Sequence, residues 1–251
     1  MHKAGFINII GNPNVGKSTL MNALVGERIS IITSKAQTTR HRILGIVNGD
    51  EFQMIFSDTP GIIKPAYQMQ EAMMQFVKSA FEDADVLIYM VEIGEKELKD
   101  EAFFKKIIHS EIPVLLLLNK IDKSNQEQLE TQVQMWQEKV PNAEVFPISA
   151  LEKFNVANVF NRLIELLPVS PPYYPKDALT DKPERFFVNE TIREKILLNY
   201  DKEIPYSVEV ETEEFKEDEQ IIRIKAIINV ERDTQKGIII GHKGAALKKV
   251  G

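Results

Sequence analysis

The 251-residue sequence contains no cysteine and only one tryptophan. The lack of cysteine excludes disulfide bonds and thiolate chemistry, and it fits a reducing compartment. No apolar run approaches the length of a membrane-spanning helix, and we expect no secretory signal at the start. The formal net charge of −6 excludes a chain that binds polyanions nonspecifically over its whole surface. The composition therefore favours a cytoplasmic protein with two domains of ordinary size.

The first informative motif is a glycine-rich loop that fits G-x-x-x-x-G-K-[ST]. An apolar strand is predicted before it, from Ala4 to Ile10, and a helix after it, from Ser18 to Val25. In that context the backbone N–H groups and the helix N-terminus can hold phosphates, and the lysine can reach the β- and γ-phosphates. An ordinary glycine turn is the alternative. The predicted phosphate-binding residues are Asn12, Pro13, Asn14, Val15, Gly16, Lys17, Ser18 and Thr19.

A second motif, Asp58-Thr59-Pro60-Gly61, follows the apolar run Phe52 to Phe56. A carboxylate at the carboxyl end of a strand lies where an open α/β sheet binds its ligands. We expect Asp58 to hold Mg²⁺ together with the Ser18 hydroxyl, and Gly61 to offer its N–H to the γ-phosphate. Read alone, Asp58 could equally be a helix cap before a Pro-Gly turn.

The third and fourth motifs concern the base. Asn119-Lys120-Ile121-Asp122 follows the buried strand predicted at Val114 to Leu118. An ionised Asp122 only accepts hydrogen bonds, so it selects guanine, which presents two adjacent donors. The Lys120 stem can cover the base, and Asn119 can tie this loop to the phosphate loop. The backbone of Ser149-Ala150, after the last predicted strand, can donate to guanine O6, and Leu151 completes this predicted GTP-binding segment.

Two further stretches resemble a known family. Asn12-Pro13-Asn14 and the segment from Lys35 to Arg42 are similar to bacterial Era-like GTPases. Downstream, Gly241-His242-Lys243-Gly244 resembles the G-x-x-G loop of a KH domain, which clamps single-stranded nucleic acid. The resemblance covers essentially the whole chain. Five basic residues against one acidic residue between positions 232 and 251 fit an RNA-binding surface, with Lys236, Gly241, His242, Lys243 and Gly244 as the expected contacts.

The resemblance implies a fold and a domain order. We expect an α/β GTPase domain, residues 1–168, with a mostly parallel sheet and one antiparallel edge strand from a hairpin at 43–56. A Pro-rich linker at 169–183 and a smaller α+β KH-type domain at 184–251 follow. A KH domain of this type continues with more helix and a third strand, so it is predicted to be incomplete in this sequence.

The resemblance also implies the catalytic residues, which are Lys17, Thr39 and Gly61. We favour Thr39 over Thr38 as the Mg²⁺ ligand from the switch loop. Ile62 stands where related GTPases place a water-orienting Gln, so water must be positioned by other groups. For Asn14 two interpretations stay open: it ligates K⁺ together with backbone carbonyls near Lys35 and Ala36, or it only stabilises its loop.

The expected function is a monomeric GTP-hydrolysing switch. It binds the 3′ end of small-subunit ribosomal RNA and assists assembly of the small ribosomal subunit. The alternative is an RNA-binding scaffold in which GTP or GDP is mainly structural. A metabolic P-loop kinase is disfavoured by the guanine-reading motif. Family resemblance alone adds peripheral association with the inner face of the cell membrane.

Overall fold

A computed structural model describes residues 1–35, 37–98 and 100–251. The chain divides into two compact units, and each unit contains two separate segments of the sequence. The first unit comprises Met1–Ser30 and Thr39–Asp181, and the second comprises Ile31–Thr38 and Lys182–Gly251. Ala36, to which the K⁺ prediction assigns a carbonyl, and Lys99, the predicted start of a helix, lie outside the described residues.

A six-stranded sheet forms the centre of the first unit. Its strands are β1 Lys3–Gly11, β2 Ile43–Asn48, β3 Phe52–Asp58, β4 Val86–Glu92, β5 Val114–Asn119 and β6 Ala143–Pro147. The spatial order is β2-β3-β1-β4-β5-β6, and every neighbouring pair is parallel except β2 and β3. The predicted mostly parallel sheet with one antiparallel edge strand is confirmed. Parallel order brings the carboxyl ends of β1, β3, β4 and β5 to one edge, where ligands bind.

Helices of the first unit connect these strands. They are α1 Lys17–Val25, α2 Gln68–Glu82, α3 Glu101–Ile108, α4 Gln126–Lys139 and α5 Val156–Leu166. Sequence-encoded caps begin two of them: Asp100 accepts from the N–H groups of Ala102 and Phe103, and Asn125 accepts from that of Gln128. The nearly unbroken apolar strands β4 and β5 are buried on both faces, as a helix-covered parallel sheet requires. The lone tryptophan, Trp136 on α4, is fully buried in this core.

The Pro-rich segment lies along the first unit. The N–H of Ala4 donates to the carbonyl of Pro168 at 3.1 Å, and that of Ile46 donates to Leu179 at 2.8 Å. The side chain of Gln53 accepts from the N–H groups of Tyr173 and Tyr174 at 2.7 and 2.9 Å. The first unit accordingly extends to Asp181. The boundaries 1–168, 169–183 and 184–251 stay a prediction of functional domains.

The second unit is an α+β arrangement around its own core. Its elements are α6 Glu184–Asn199, β7 Val208–Glu217, β8 Ile222–Val230, α7 Asp233–Ile240 and α8 Ala245–Val250. Strands β7 and β8 pair antiparallel, with a register shift between Thr212 and Glu214. The core contains Ile196 of α6, Tyr200 directly after that helix and Ile239 of α7. The Tyr200 hydroxyl donates to the carbonyl of Ile239 at 2.7 Å, which fixes α7 against α6.

The short segment Ile31–Thr38 also belongs to the second unit. Arg193 and Glu190 of α6 form a buried ion pair at 2.6 Å, and Arg193 also donates to the carbonyl of Thr38. The N–H of Ile32 donates to Glu194 at 3.2 Å. Side chains of α6 therefore satisfy backbone groups that lie far away in the sequence.

No helix in the part of the chain that the structure describes is long and apolar enough to cross a membrane.

Candidate functional site

The glycine-rich loop connects β1 to α1, as the motif requires. Two of its glycines need the freedom that a missing Cβ gives. Gly16 has a φ of 107°, and a Cβ there would lie 2.3 Å from Asn119 Nδ2. Gly11 has a φ of 153°, and its Cβ would lie 2.2 Å from the carbonyl oxygen of Met90. Asn14 takes the left-handed conformation with a φ of 65°. Both glycines therefore let the loop lie close to β4 and to the end of β5.

Lys17 lies inside the loop. Its Nζ donates to the carbonyls of Gly11 at 3.1 Å and Asn12 at 2.9 Å. Burial lowers the pKa of Lys17 to about 8, although Asp58 and Glu95 nearby oppose the shift. The pocket thus holds a desolvated lysine that a phosphate group would stabilise in its charged form.

The three predicted Mg²⁺ ligands meet at the end of β3. Ser18 Oγ donates to Asp58 Oδ2 at 2.7 Å and lies 3.0 Å from Thr39 Oγ1, which is 3.5 Å from the same carboxylate oxygen. Burial raises the pKa of Asp58, while the hydrogen bond from Ser18 and the charge of Lys17 oppose the rise. Asp58 Oδ1 is buried and has no hydrogen-bond partner among the described residues. Thr38 lies elsewhere: its hydroxyl donates to the carbonyl of Lys35 at 2.7 Å.

Gly61 and Ile62 contact the phosphate loop at Pro13 and Gly11. A Cβ on Gly61 would lie 2.6 Å from Pro13 Cα, so only glycine allows this approach. The N–H of Ile62 donates to the carbonyl of Gly11 at 3.0 Å, and its side chain is fully buried in the core. Ile62 therefore packs and does not orient water, which agrees with its lack of a polar atom.

The predicted base-reading loop follows β5. Asn119 donates to the carbonyl of Val15 at 2.7 Å and accepts from the N–H of Ala150 at 2.9 Å, so it joins three motifs. Lys120 donates to the carbonyl of Asn14 at 2.7 Å. Asp122 accepts from the Ser149 hydroxyl at 2.6 Å, which fixes its carboxylate at the mouth of the site.

The remaining predicted residues lie around these. Val15 is buried and Thr19 is half-buried on α1. Leu151 is 71 % exposed, so its side chain is available to cover an incoming base. The structure thus brings the predicted nucleotide residues of all the motifs to one edge of the sheet.

Sequence reasoning missed two acidic residues in this site. Glu92, the last residue of β4, forms an ion pair with Lys120, and Glu95 accepts from the side chain of Asn12. Burial raises the pKa of Glu95, opposed by its hydrogen bonds with Glu92 and Asn12. A signal was present, because Glu92 ends a buried parallel strand just as Asp58 does.

The second unit carries the predicted nucleic-acid loop. Gly241 to Gly244 joins α7 to α8, with φ values of 68° at Gly241 and 78° at Gly244. A Cβ on Gly241 would lie 2.6 Å from that of Ala246, whereas Gly244 faces open space. His242, Lys243 and Lys236 are exposed. The loop therefore presents a bare backbone flanked by basic side chains.

Two family models match the chain, one over the nucleotide-binding motifs and one over the G-x-x-G loop. Residues 6–120 match the model of a 50S ribosome-binding GTPase, and residues 203–251 match the KH domain model. The fold and site define a P-loop GTPase domain followed by a KH domain, and the chain is a GTPase.

Comparison with individual proteins identifies the family. The chain is 43 % identical to GTPase Era of Staphylococcus haemolyticus over 252 aligned positions, covering 100 % of this chain and 84 % of the relative. It is 47 % identical to GTPase Era of Syntrophus aciditrophicus over 254 positions, covering 100 % of this chain and 83 % of the relative. The chain belongs to the Era family of GTPases.

Two solved structures are similar over the whole fold. One is Era in complex with MgGDPNP and nucleotides 1506–1542 of 16S ribosomal RNA, with a TM-score of 0.93, 38 % identity and coverage of 100 % of this chain and 86 % of that one. The other is an Aquifex aeolicus Era variant bound to GDP and AlF₄⁻, with a TM-score of 0.93, 38 % identity and coverage of 99 % and 86 %.

Proposed function

We propose that this GTPase is a molecular switch that binds the 3′ end of small-subunit ribosomal RNA and assists assembly of the small ribosomal subunit in the cytoplasm. The observation that carries the proposal is the meeting of Thr39 with Ser18 and Asp58. Thr39 comes from the loop between α1 and β2, so a ligand held at this point would order that loop. Loss of the γ-phosphate would release it.

Mg²⁺ fits the residues present at that point. The donor set is two hydroxyls and a carboxylate, which are the hard oxygen ligands that Mg²⁺ takes alongside waters and phosphate oxygens. A buried Asp58 oxygen without a hydrogen-bond partner among the described residues is also what a cation or its bound water would satisfy. We assign Ser18 and Thr39 as ligands and Asp58 as a ligand through water. When bound, Mg²⁺ neutralises charge that develops on the β- and γ-phosphates.

Guanine selection falls to Asp122, with Asn119 and Lys120 shaping the pocket. The carboxylate of Asp122 is held by Ser149, so it accepts two donors from guanine without rearranging. The N–H of Ala150 donates to Asn119 Oδ1 at 2.9 Å, so it must exchange that acceptor before it can donate to guanine O6. Lys17 and the N–H of Gly61 act on the γ-phosphate.

The RNA partner is proposed from two facts. An Era protein of closely similar structure was solved with nucleotides 1506–1542 of 16S ribosomal RNA. This chain keeps a G-x-x-G loop with exposed His242 and Lys243. Gly241 and Gly244 let a phosphate backbone approach, and Lys243 adds a positive charge.

Two interpretations of Asn14 lead to different salt effects: it ligates K⁺, or it only stabilises its loop. GTP hydrolysis in KCl should exceed that in NaCl at equal ionic strength if Asn14 ligates K⁺, and Asn14→Ala should remove the difference. Equal rates in the wild type would leave Asn14 as a loop-stabilising residue. Peripheral membrane association stays a prediction from resemblance.

Two measurements on the same preparation test the switch. The first is single-turnover hydrolysis of GTP. The second is the affinity for a fluorescent RNA with the 3′-end sequence of 16S RNA, measured with a non-hydrolysable GTP analogue, with GDP and without nucleotide. We expect hydrolysis and an RNA affinity that differs between the two nucleotides. Equal RNA affinity in all states, with no hydrolysis, would instead favour an RNA-binding scaffold.

A double variant controls the RNA assignment. His242→Asp with Lys243→Asp replaces local attraction for phosphates by repulsion and leaves the apolar core untouched. RNA affinity should fall by orders of magnitude, with a weaker salt dependence in what remains. Normal RNA binding by this variant would contradict the KH assignment.

A further inference from the structure

Two acidic side chains at the end of β4 contact both nucleotide-binding loops. Glu92 forms an ion pair with Lys120 of the base-reading loop. Glu95 accepts a hydrogen bond from the side chain of Asn12 in the phosphate loop. The two glutamates are also joined, because the N–H of Glu92 donates to Glu95 Oε2 at 2.9 Å. We call Glu92 and Glu95 the acidic bridge.

Backbone contacts strengthen the acidic bridge on both sides. The Asn12 side chain donates a second hydrogen bond to the carbonyl of Glu97 at 3.1 Å. On the other side, the N–H of Ile93 donates to the carbonyl of Asn119 at 2.9 Å. The residues from Glu92 to Glu97 are therefore hydrogen-bonded to two loops that are far apart in sequence.

Lys120 depends on such support because its backbone is in an unfavourable conformation. Its φ is 63°, in the left-handed region that non-glycine residues rarely adopt without support from their surroundings. The side chain is held at its tip by two acceptors: the carbonyl of Asn14 at 2.7 Å and the carboxylate of Glu92. Because the Lys120 side chain is fixed at its tip as well as at its backbone, its apolar stem stays in one place, where a base would stack.

Electrostatics favours a positioning role for the acidic bridge over a direct contribution to phosphate binding. Carboxylates beside a phosphate-binding loop repel a nucleotide's phosphates. Glu92 and Glu95 can therefore favour nucleotide binding only through the residues that they hold in place. Their contribution to folding is small at Glu92, since the side chains of Lys120 and Glu92 are 27 % and 41 % exposed. A partly exposed ion pair of this kind stabilises the fold by about 0–1 kcal/mol.

We propose that Glu92 is a positioning residue for guanine-nucleotide binding. It holds Lys120 Nζ beside the carbonyl of Asn14, so that the lysine stem covers the base, and Glu95 connects this arrangement to Asn12. Base binding and phosphate binding are thereby linked through the end of β4. The proposal rests on the guanine-reading role assigned above to the loop Asn119 to Asp122.

The test measures GDP dissociation with a fluorescent GDP analogue. Glu92→Gln removes the charge at nearly constant size and should speed dissociation about fivefold, the factor that roughly 1 kcal/mol corresponds to. Glu97→Gln makes the same charge change in the same loop, where Glu97 contributes its backbone carbonyl and exposes its side chain. It should change dissociation less than about twofold. Unchanged melting temperatures of the nucleotide-free variants would exclude a folding defect.

A background lacking the lysine tip separates positioning from a general effect. Lys120→Met keeps a long apolar stem and removes Nζ. In that background Glu92→Gln should have no further effect, because its only route to the base is gone. An equal effect of Glu92→Gln in both backgrounds, or an equal effect of Glu97→Gln, would overturn the proposal. If the wild type fails to prefer GDP over ADP, the guanine-reading assignment falls and the positioning role falls with it. If the wild type does prefer GDP over ADP, but Glu92→Gln and Lys120→Met have additive effects on GDP dissociation, only the positioning role of Glu92 is overturned.

Discussion

Breaking the buried ion pair of the second unit should strongly destabilise that unit. Arg193 and Glu190 are 4 % and 7 % exposed. Arg193 makes bonds of 2.8 and 2.6 Å to the two carboxylate oxygens of Glu190, and it also donates to the carbonyl of Thr38. Arg193→Met keeps most of the side-chain length and removes these bonds, together with a fourth to the carbonyl of Gln37 at 3.5 Å.

The magnitude follows from what is left behind. Removing one partner of a buried pair leaves an uncompensated charge and costs about 3–5 kcal/mol. The m-value in urea for a unit of this size is about 1–3 kcal/mol/M, so the midpoint should fall by about 2 M. Glu190→Leu alone strands the buried Arg193 guanidinium instead, so it should also destabilise the unit. Adding Arg193→Met to Glu190→Leu removes that charge, so the double variant should be more stable than the sum of the two single effects predicts.

Urea-dependent hydrogen exchange on peptides from α6 and from residues 31–38 reads out this unit by itself. Arg223→Met is the matched control, since Arg223 pairs with Asp218 at 2.5 Å with side chains 66 % and 48 % exposed. Loss of that solvent-exposed pair should leave the urea midpoint nearly unchanged. Equal midpoint shifts for the two variants would refute the reasoning that burial decides the effect. Arg193→Met should also speed tryptic cleavage after Lys35, because one anchor of its segment is lost.

Three further results are expected. Asp122→Asn should lose GDP and gain xanthosine diphosphate in competition binding, because the new amide donates where guanine also donates; unchanged GDP affinity would contradict the role of Asp122. Burial lowers the pKa of Lys17 to about 8, and bound phosphate favours the charged amine. GDP affinity in EDTA should therefore fall about tenfold between pH 7 and pH 9, as the fraction of protonated lysine does, and Lys17→Arg should abolish this dependence by staying charged. Ile62→Ala should cost about 2–5 kcal/mol of stability while changing hydrolysis per folded molecule less than about tenfold, and a loss of hydrolysis as large as that of Lys17→Ala would show that Ile62 acts in catalysis.

Local chemistry explains why much of this protein follows from its sequence. A lysine after a glycine loop, a carboxylate ending an apolar strand and an Asn-Lys-x-Asp run each suit one part of a guanine nucleotide. The order of these motifs predicts the parallel sheet that brings them together. The loop at Gly241 differs, because a G-x-x-G spacing alone is a weak signal and gains weight only from its position after a strand pair and a helix, downstream of a GTPase domain.

Which distant residues meet depends on the tertiary structure. Nothing near Glu92 in the sequence indicates that Lys120 is its partner. The two side chains meet because β4 and β5 are parallel neighbours that end at the same edge of the sheet. Likewise Ile31–Thr38 lies within the predicted GTPase domain, yet it belongs to the second unit, since α6 offers buried donors and acceptors for its backbone. Residues 169–181 form part of the first unit because their backbone hydrogen-bonds with the N-terminal residues and with β2. Residue type fixes what a side chain can do, whereas the pairing of groups more than a hundred positions apart is set by strand order and by the need to satisfy buried polar groups.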